Sequence, residues 1–116
     1  MGELTRPEGL HRFLEGQPPE PCVGLTLGWV IADEAELLRI AVHPRMRRRG
    51  LGSRLLHDFT TQAYKRGARS CFLEVRADNQ AAIALYSAHH FENVSHRTAY
   101  YPDGCDAVLM RLSMTQ

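Results

Sequence analysis

The run ELLRIAVHPRMRRRGLGSRLL, residues 36–56, limits the folds open to this chain more than any other part of the sequence. Residues 36–42 are apolar enough for a buried strand, and Pro44 ends that strand because proline lacks the N–H that a ladder requires. Gly50 and Gly52 stand where a helix would begin and let the backbone approach a neighbouring group closely. The run therefore predicts a strand, a short loop and a helix, which is the repeating unit of an α/β protein.

The helix is predicted over residues 52–66. Its apolar residues fall on one face at helical spacing: Leu55, Leu56, Phe59 and Ala63. Lys65 and Arg66 suit the negative end of the helix dipole, and Gly67 suits the left-handed residue that ends many helices.

The remaining elements complete an α/β sheet with helices packed on it. An edge strand is predicted at 10–14, further strands at 22–31, 70–76, 93–101 and 105–112, and a second helix at 81–88 capped by Asp78 or Asn79. Turns are predicted at 16–21, 33–35 and the Pro-Asp-Gly of 102–104. We expect a short N-terminal segment, residues 1–20, followed by a single domain, residues 21–116.

Charge is unevenly spread along the chain. The net charge is only +1, yet residues 41–76 carry nine cations against two acids, while both flanking segments are net acidic. Thirteen of the fourteen cations are arginine, whose planar fork suits bidentate contact with phosphate. A basic middle between acidic ends predicts one local anionic ligand.

The anion would lie at the start of the first predicted helix. A helix N-terminus presents unpaired N–H groups and the positive end of the dipole, and Arg47, Arg48 and Arg49 add charge beside Gly50 and Gly52. The spacing fits neither a Walker loop nor a dinucleotide fingerprint and is a third kind of pyrophosphate turn. Taken alone it leaves two other interpretations open, a solvated basic loop and a nucleic-acid patch.

Two further residues suggest acid–base chemistry. Strand alternation predicts that Glu74 faces away from Cys71, Leu73 and Val75 and, among apolar neighbours, is partly desolvated, which would raise its pKa. Tyr86 emerges from the apolar side of the second helix, where its phenol could deliver a proton in a narrow cleft. The alternatives are a solvent-facing acid paired with Arg76 and a tyrosine of the core.

Several classes of function are not expected. No apolar run approaches the roughly 18 residues of a membrane span, and residues 1–16 lack the apolar stretch of a secretory signal. Three scattered cysteines predict no disulfide framework and favour the cytoplasm. Adjacent His89 and His90 would point in different directions on a helix, so no metal site is predicted.

Taken together, these features resemble the GNAT superfamily of N-acetyltransferases, and within it the bacterial ribosomal-protein alanine N-acetyltransferases. The resemblance rests on IAVHPRMRRRGLGSRLL at 40–56, RGARSCFLEVRADNQAAIALY at 66–86 and RTAYYPDGCDAVLMRL at 97–112, in that order. It implies a mixed sheet that splays apart between strands 36–42 and 70–76.

The resemblance also implies roles for individual residues. The pantetheine arm of acetyl-CoA would pair with the backbone of Ile40, Ala41 and Val42, and Asn79 would contact the same arm. Glu74 would be the general base and Tyr86 the general acid. The diphosphate would lie on the turn formed by Arg47, Arg48, Arg49, Gly50, Leu51, Gly52 and Ser53.

This chain departs from the family pattern in two places. The family usually has a strand and two helices before the hairpin that starts here near Leu10, and these helices form one lip of the acceptor groove. We therefore expect an N-terminally short version of the fold. His90 replaces the usual glycine after the second helix, at a left-handed position where another residue costs about 1 kcal/mol.

The expected reaction is acetylation of a primary amine, and a protein N-terminal α-amine is the favoured acceptor. An α-amine, with a pKa of about 7.7–8.0, is easier to deprotonate than lysine, with a pKa of about 10.4. A small-molecule amine is the alternative acceptor, which a cluster of acids facing the acceptor groove would favour. A non-catalytic acetyl-CoA-binding module is a third interpretation. No nucleic-acid or membrane partner is expected, and a homodimer is left open.

Overall fold

The structure, a computed structural model, describes residues 8–16, 22–47 and 50–114. Its elements in chain order are β1 (Glu8–Glu15), β2 (Cys22–Ile31), β3 (Glu34–Val42), a 3₁₀ turn (Pro44–Met46), α1 (Leu51–Lys65), β4 (Ser70–Arg76), α2 (Gln80–Ala88), β5 (Glu92–Arg97) and β6 (Ala107–Ser113). The α/β class is confirmed, and the helices and first four strands lie within a few residues of their predicted bounds. The turn predicted at 16–21 lies mostly outside the described residues.

The six strands form one mixed sheet in the order β1-β2-β3-β4-β6-β5. All neighbouring pairs are antiparallel except β3 and β4, which are parallel because α1 crosses over between them. Since β1 pairs with β2 along its length, residues 8–15 belong to the sheet; the division of the chain at residue 20 stays an expectation.

The loop of the last hairpin is longer than predicted, and its first strand ends earlier. The strand predicted over 93–101 ends at Arg97, and residues 98–106 form the connection to β6. Ala99 has φ +51° and donates its backbone N–H to the carboxylate of Asp106, 2.8 Å away. These two features turn the chain out of the ladder before Tyr101, so the prediction of a strand there was wrong.

One face of the sheet carries the core. The predicted apolar face of α1 is fully buried against it, with Leu56, Phe59 and Ala63 each 0% exposed. Gly67, with φ +100°, ends the helix in the left-handed conformation as predicted. At about 25 cal/mol per Å² of apolar surface, burial of these side chains is the main force that holds α1 on the sheet.

The parallel pairing of β3 with β4 stops after three residues, Glu34 to Glu36 against Ser70 to Phe72. Immediately beyond it β3 carries a bulge, because Leu27 pairs with Arg39 but Gly28 pairs with Leu37, which leaves Leu38 extra. A bulge bends its strand and adds twist. The predicted splay between the two strands is thus confirmed, and the bulge gives it a local cause.

Gly28 makes this arrangement possible from the opposite strand. A Cβ at this position would lie against the carbonyl oxygen of Glu36 and within 2.5 Å of the Phe59 ring. The absence of a side chain therefore lets Phe59 of α1 pack directly over the backbone beside the bulge.

Replacement of Gly28 by Ala is expected to lower the free energy of unfolding by about 2–3 kcal/mol, because neither the backbone of Glu36 nor the buried Phe59 ring can move aside easily. Urea denaturation followed by circular dichroism measures it. Gly52→Ala is the matched control, since its Cβ would meet only Leu85, at 3.4 Å. Equal stability of the Gly28→Ala variant and the wild type would contradict this account of the bulge.

The C-terminus of α2 is a Schellman motif that contains the predicted left-handed histidine. His90 has φ +72°, its N–H donates to Ser87, and the N–H of Phe91 donates to the carbonyl of Tyr86. The rings of Phe91 and Tyr86 lie 5.9 Å apart, which supplies the apolar contact that usually accompanies this motif. The strain predicted at His90 therefore lies four residues from Tyr86.

Replacement of His90 by Gly is expected to raise the free energy of unfolding by about 1 kcal/mol, because glycine adopts positive φ without steric penalty. Chemical denaturation is again the measurement. Ala88→Gly, two residues earlier and inside the helix, should instead destabilise the protein by up to about 1 kcal/mol. If both glycine variants are destabilised alike, His90 is not strained.

Candidate active site in the splay between two strands

A cavity of about 200 Å³ lies where β3 and β4 separate. It is walled by β3, β4, α2 and the 98–106 loop, through Leu37–Ile40, Leu73–Arg76, Asn79, Ala82, Tyr86 and Tyr101. The bulge that opens the splay thus also shapes the cavity, and Glu74 and Tyr86, twelve residues apart in sequence, line the same space.

Glu74 lies on the predicted side of β4, opposite the buried Cys71, Leu73 and Val75. Its side chain is exposed, however, so the partial desolvation expected from its apolar neighbours is wrong. The neighbours at 71, 73 and 75 face the core, whereas the splay leaves the other face of β4 open. Glu74 forms no hydrogen bond or ion pair with any residue that the structure describes.

Arg76 does not neutralise Glu74, contrary to the simplest alternative interpretation of that carboxylate. Its guanidinium instead bonds to Asp103, 2.6 Å away, and to Asp78, 3.1 Å away. These bonds hold the pKa of both aspartates below their ordinary value. The Glu74 carboxylate therefore remains available to a proton donor in the cavity.

Tyr86 is 7% exposed, and burial raises the pKa of its phenol. Its position is fixed by the Schellman motif at the end of α2 and by the ring of Phe91. A phenol with a raised pKa keeps its proton at neutral pH, so Tyr86 can act as a proton donor but not as a base. Tyr86 belongs both to the core and to the cavity wall, so the alternative of a core tyrosine is confirmed and the role of proton donor stays a prediction.

A second cavity, of about 370 Å³, continues from the first and shares Ile40 and Ala82 with it. It runs between the end of β3 and the start of α1, and is also lined by Val42, Met46, Arg47, Gly50, Leu51, Gly52, Ala81 and Leu85. Ala41 pairs with Leu25 of β2 and is not part of this lining. The two cavities therefore adjoin, and together they lead from Glu74 to the N-terminus of α1.

The N-terminus of α1 has the features of an anion site. Gly50 precedes the helix at φ +73°, and no side chain from residues 8–16, 22–47 or 50–114 caps it. The first helical N–H groups, those of Leu51, Gly52 and Ser53, therefore have no intrahelical acceptor. Arg47 is exposed beside them. The predicted contributions of Arg48 and Arg49 concern residues outside the described part of the chain.

Asn79 caps α2, since its side-chain oxygen accepts the N–H of Ala82, 3.1 Å away. The cap uses the oxygen only and leaves the amide NH₂ for another partner. Asn79 also lines the first cavity. The structure thus confirms the predicted cap, and the predicted contact with a coenzyme stays a prediction.

The 98–106 loop adds a wall that sequence reasoning missed. Tyr101 lines the cavity, and the guanidinium of Arg76 lies 4.9 Å from the centre of its ring. Tyr101 and Glu74 line the same cavity, and desolvation, and after it the charge of Glu74, raises the pKa of Tyr101. The sequence shows the pair Tyr100-Tyr101, but the strand predicted over 93–101 did not indicate that Tyr101 lies in a loop beside the cavity.

A third cavity, of about 300 Å³, lies on the other side of Glu74 and shares Leu73 and Glu74 with the first. Its lining combines carboxylates with apolar side chains, including Trp29, Glu34, Glu36, Phe72 and Arg97. The indole N–H of Trp29 donates to Glu36, 3.2 Å away. A molecule that reaches Glu74 from this side would meet three carboxylates and one guanidinium.

Comparison with known proteins identifies the family. Residues 4–91 match the model of the acetyltransferase (GNAT) family. The chain belongs to this family. The prediction made from the three sequence motifs is thus confirmed.

Relatives in the family include protein N-acetyltransferases. The [ribosomal protein bS18]-alanine N-acetyltransferase of Escherichia coli K12 is 46% identical over 89 residues, which are 74% of this chain and 60% of that protein. The N-alpha-acetyltransferase RimI of Mycobacterium tuberculosis is 43% identical over 79 residues, which are 67% of this chain and 48% of that protein. This GNAT chain therefore spans about half to three fifths of the length of these relatives.

The fold agrees with a solved structure of the same group. The crystal structure of the ribosomal-protein-S18-alanine N-acetyltransferase from Escherichia coli superposes with a TM-score of 0.85 and 39% sequence identity, covering 94% of this chain and 71% of that one. The mixed, splayed GNAT sheet expected from the sequence is thereby confirmed for the residues described.

Two predicted absences stay predictions. Among residues 8–16, 22–47 and 50–114, no three His, Cys, Asp or Glu side chains are grouped so that they could hold a metal ion. Neither helix of the described part is long and apolar enough to cross a membrane.

Asp106 is expected to have a pKa below the ordinary aspartate value of about 3.9. The N–H of Ala99, and after it His96, 2.7 Å away, lower the pKa of this carboxyl. The contact therefore stabilises the folded loop fully when the pH is above the pKa of Asp106 in the unfolded chain. This stabilisation is lost as the pH falls through the lower pKa that Asp106 has in the folded protein. Carboxyl ¹³C shifts followed by NMR measure this midpoint.

A His96→Ala variant is the control for that titration. The midpoint should stay depressed in it, because the backbone N–H of Ala99 is the larger cause. A midpoint at or above 3.9 in the wild type would mean that Asp106 does not hold the loop beside Glu74.

Proposed function

We propose that the chain transfers acetyl from acetyl-CoA to a primary amine, with a protein N-terminal α-amine as acceptor. The observation that carries the proposal is the pair of adjoining cavities, one at the N-terminus of α1 and the other lined by both Glu74 and Tyr86. Family membership adds to it, because acetyl transfer is the activity for which the family is named.

The residues along the path fit acetyl-CoA. Beyond Glu36, the side of β3 that faces β4 has no ladder partner among the described strands, so Ile40 to Val42 can pair with an extended amide chain such as pantetheine. The uncapped start of α1, from Gly50 to Ser53, and Arg47 suit a diphosphate. The free amide of Asn79 can donate to the arm between them.

The chemistry follows from the protonation states of two side chains. Glu74, open to solvent on one side of the cavity, accepts a proton from the acceptor ammonium, directly or through water. The neutral amine then forms a bond to the acetyl carbon as the C–S bond breaks, and Tyr86 gives its proton to the departing thiolate. The second proton, which the nitrogen loses as the amide forms, returns to the Tyr86 phenolate, directly or through water. Transfer within one cavity needs no covalent enzyme intermediate, since both reactants are held together.

An N-terminal α-amine suits a single exposed carboxylate. Its pKa of about 7.7–8.0 makes it easier to deprotonate than lysine by roughly 3 kcal/mol at neutral pH, given about 1.4 kcal/mol for each pKa unit. The names of the relatives, which act on ribosomal-protein alanine or on N-α-amines, support the same acceptor. The three cysteines are free thiols, which suits a reducing cytoplasm.

One observation favours a second acceptor, a small cationic amine. The cavity on the acceptor side of Glu74 also contains Glu34 and Glu36, and carboxylates attract a polyamine or an aminoglycoside. Arg97 in the same cavity weakens that attraction. Peptides that begin with Ala, Ser or Met, compared with spermidine in a CoA-release assay, distinguish the two acceptors.

Glu74→Gln tests the mechanism. The variant is expected to bind acetyl-CoA with a Kd within about threefold of the wild type and to lower kcat by about 10²–10⁴-fold, because it keeps the shape of the side chain and removes the base. CoA release with the best acceptor peptide measures kcat, and calorimetry measures Kd.

Glu92→Gln, an exposed glutamate on the edge strand β5, is the matched control and should leave both quantities unchanged. Equal kcat for Glu74→Gln and the wild type would remove Glu74 from the mechanism. Coenzyme binding without turnover of any acceptor would leave an acetyl-CoA-binding module in place of an enzyme.

A further inference from the structure

The two helices that flank the coenzyme path are joined by a hydrogen bond between side chains. Ser53 Oγ, in the first turn of α1, lies 2.5 Å from His89 Nε2, at the end of α2. The two residues are 36 positions apart in sequence. The sequence predicts Ser53 in the diphosphate turn but no role for His89, because nothing in the sequence shows that the end of α2 reaches the start of α1.

Both partners are held in place by their own helix ends. His89 is the C-cap of α2, and its backbone N–H donates to Tyr86 in the turn that the Schellman motif closes. Ser53 is the third residue of α1, and the backbone N–H of the next residue already bonds to Gly50. The imidazole therefore meets the hydroxyl at the point where the first N–H groups of α1 are unpaired.

The chemistry of a hydroxyl limits what Ser53 can do there. A serine hydroxyl has one proton to donate and lone pairs that accept. If it donates that proton to His89 Nε2, only its lone pairs remain, and these repel an anion. If His89 Nε2 carries the proton and donates it to Ser53 Oγ, the hydroxyl proton is free to bond to a phosphate oxygen.

We propose that His89 is a positioning residue for the coenzyme: by donating from Nε2 to Ser53 Oγ, it directs the Ser53 hydroxyl proton toward the coenzyme diphosphate. The inference rests on the proposed function, since it concerns the same diphosphate site. It adds a group from α2, the helix that carries Tyr86, to an anion site otherwise formed by the start of α1.

A purely structural role for the same contact would have different consequences. If His89 only held the two helices together, its loss would lower stability and disturb the groove whether or not Ser53 had a hydroxyl. If it acts through Ser53, its effect on coenzyme affinity disappears once that hydroxyl is removed. A double-mutant cycle separates the two cases.

The experiment measures the Kd for acetyl-CoA by calorimetry for the wild type, Ser53→Ala, His89→Leu and the double variant, with chemical denaturation of each. Each single change should weaken binding about fivefold, the effect expected for loss of one typical hydrogen bond. The double variant should also be about fivefold weaker, and not about 25-fold, because both changes remove the same oriented hydroxyl.

Two further variants sharpen the test. His89→Gln keeps an N–H donor near the position of Nε2 and should bind within about twofold of the wild type. His90→Asn alters the adjacent histidine, which has no hydrogen bond from its side chain within the described residues, and asparagine tolerates its positive φ. It should leave the Kd unchanged.

Each outcome decides the matter. Non-additive losses with rescue by His89→Gln support the proposal. If the losses of affinity in the two single variants multiply in the double variant, or if His89→Leu binds acetyl-CoA as tightly as the wild type, the proposal is overturned and the proposed function stands. A wild type that is folded but binds no acetyl-CoA at millimolar concentration overturns the proposed function, and the role of His89 with it.

Discussion

The geometry of this molecule depends on the point where the parallel ladder between β3 and β4 stops. Three residue pairs hold the strands together, and then the extra residue Leu38 bends β3 away. The bulge is accommodated because Gly28, on the neighbouring strand, has no side chain and Phe59 of α1 fills the space above it. The packing of Phe59 on Gly28 thus supports the bulge, and the bulge leaves the side of β3 that faces β4 open to a ligand. A change at Gly28 would therefore affect both the stability of the core and the shape of the cavity.

The groups around the resulting cavity are held by short local motifs rather than by the sheet alone. A Schellman turn and the ring of Phe91 fix Tyr86, and the Asn79 cap fixes the start of the same helix. The ion pair between Arg76 and Asp103 joins the 98–106 loop to β4. Each motif satisfies backbone or side-chain groups that would otherwise lack partners. Tyr86 is buried and Glu74 is exposed, and in the proposed mechanism the first is the acid and the second is the base.

Local patterns predicted much of this structure. Periodicity placed α1 and its buried face, strand alternation placed Glu74 opposite Leu73, and the family glycine position identified the positive φ of His90. Quantities that depend on distant parts of the chain were not predicted. The exposure of Glu74 depends on the splay, and the early end of β5 depends on an aspartate nine residues further along. The meeting of Ser53 with His89 depends on how two helices cross.

The proposed function depends on binding of acetyl-CoA between the start of α1 and the residues Glu74 and Tyr86. An NMR titration of the ¹⁵N-labelled protein with acetyl-CoA tests it most directly. We expect saturable shifts for the backbone N–H groups of residues 40–42 and 51–53, with residues of β5 unaffected. No saturable shift at millimolar coenzyme, or shifts confined to other surfaces, would contradict it.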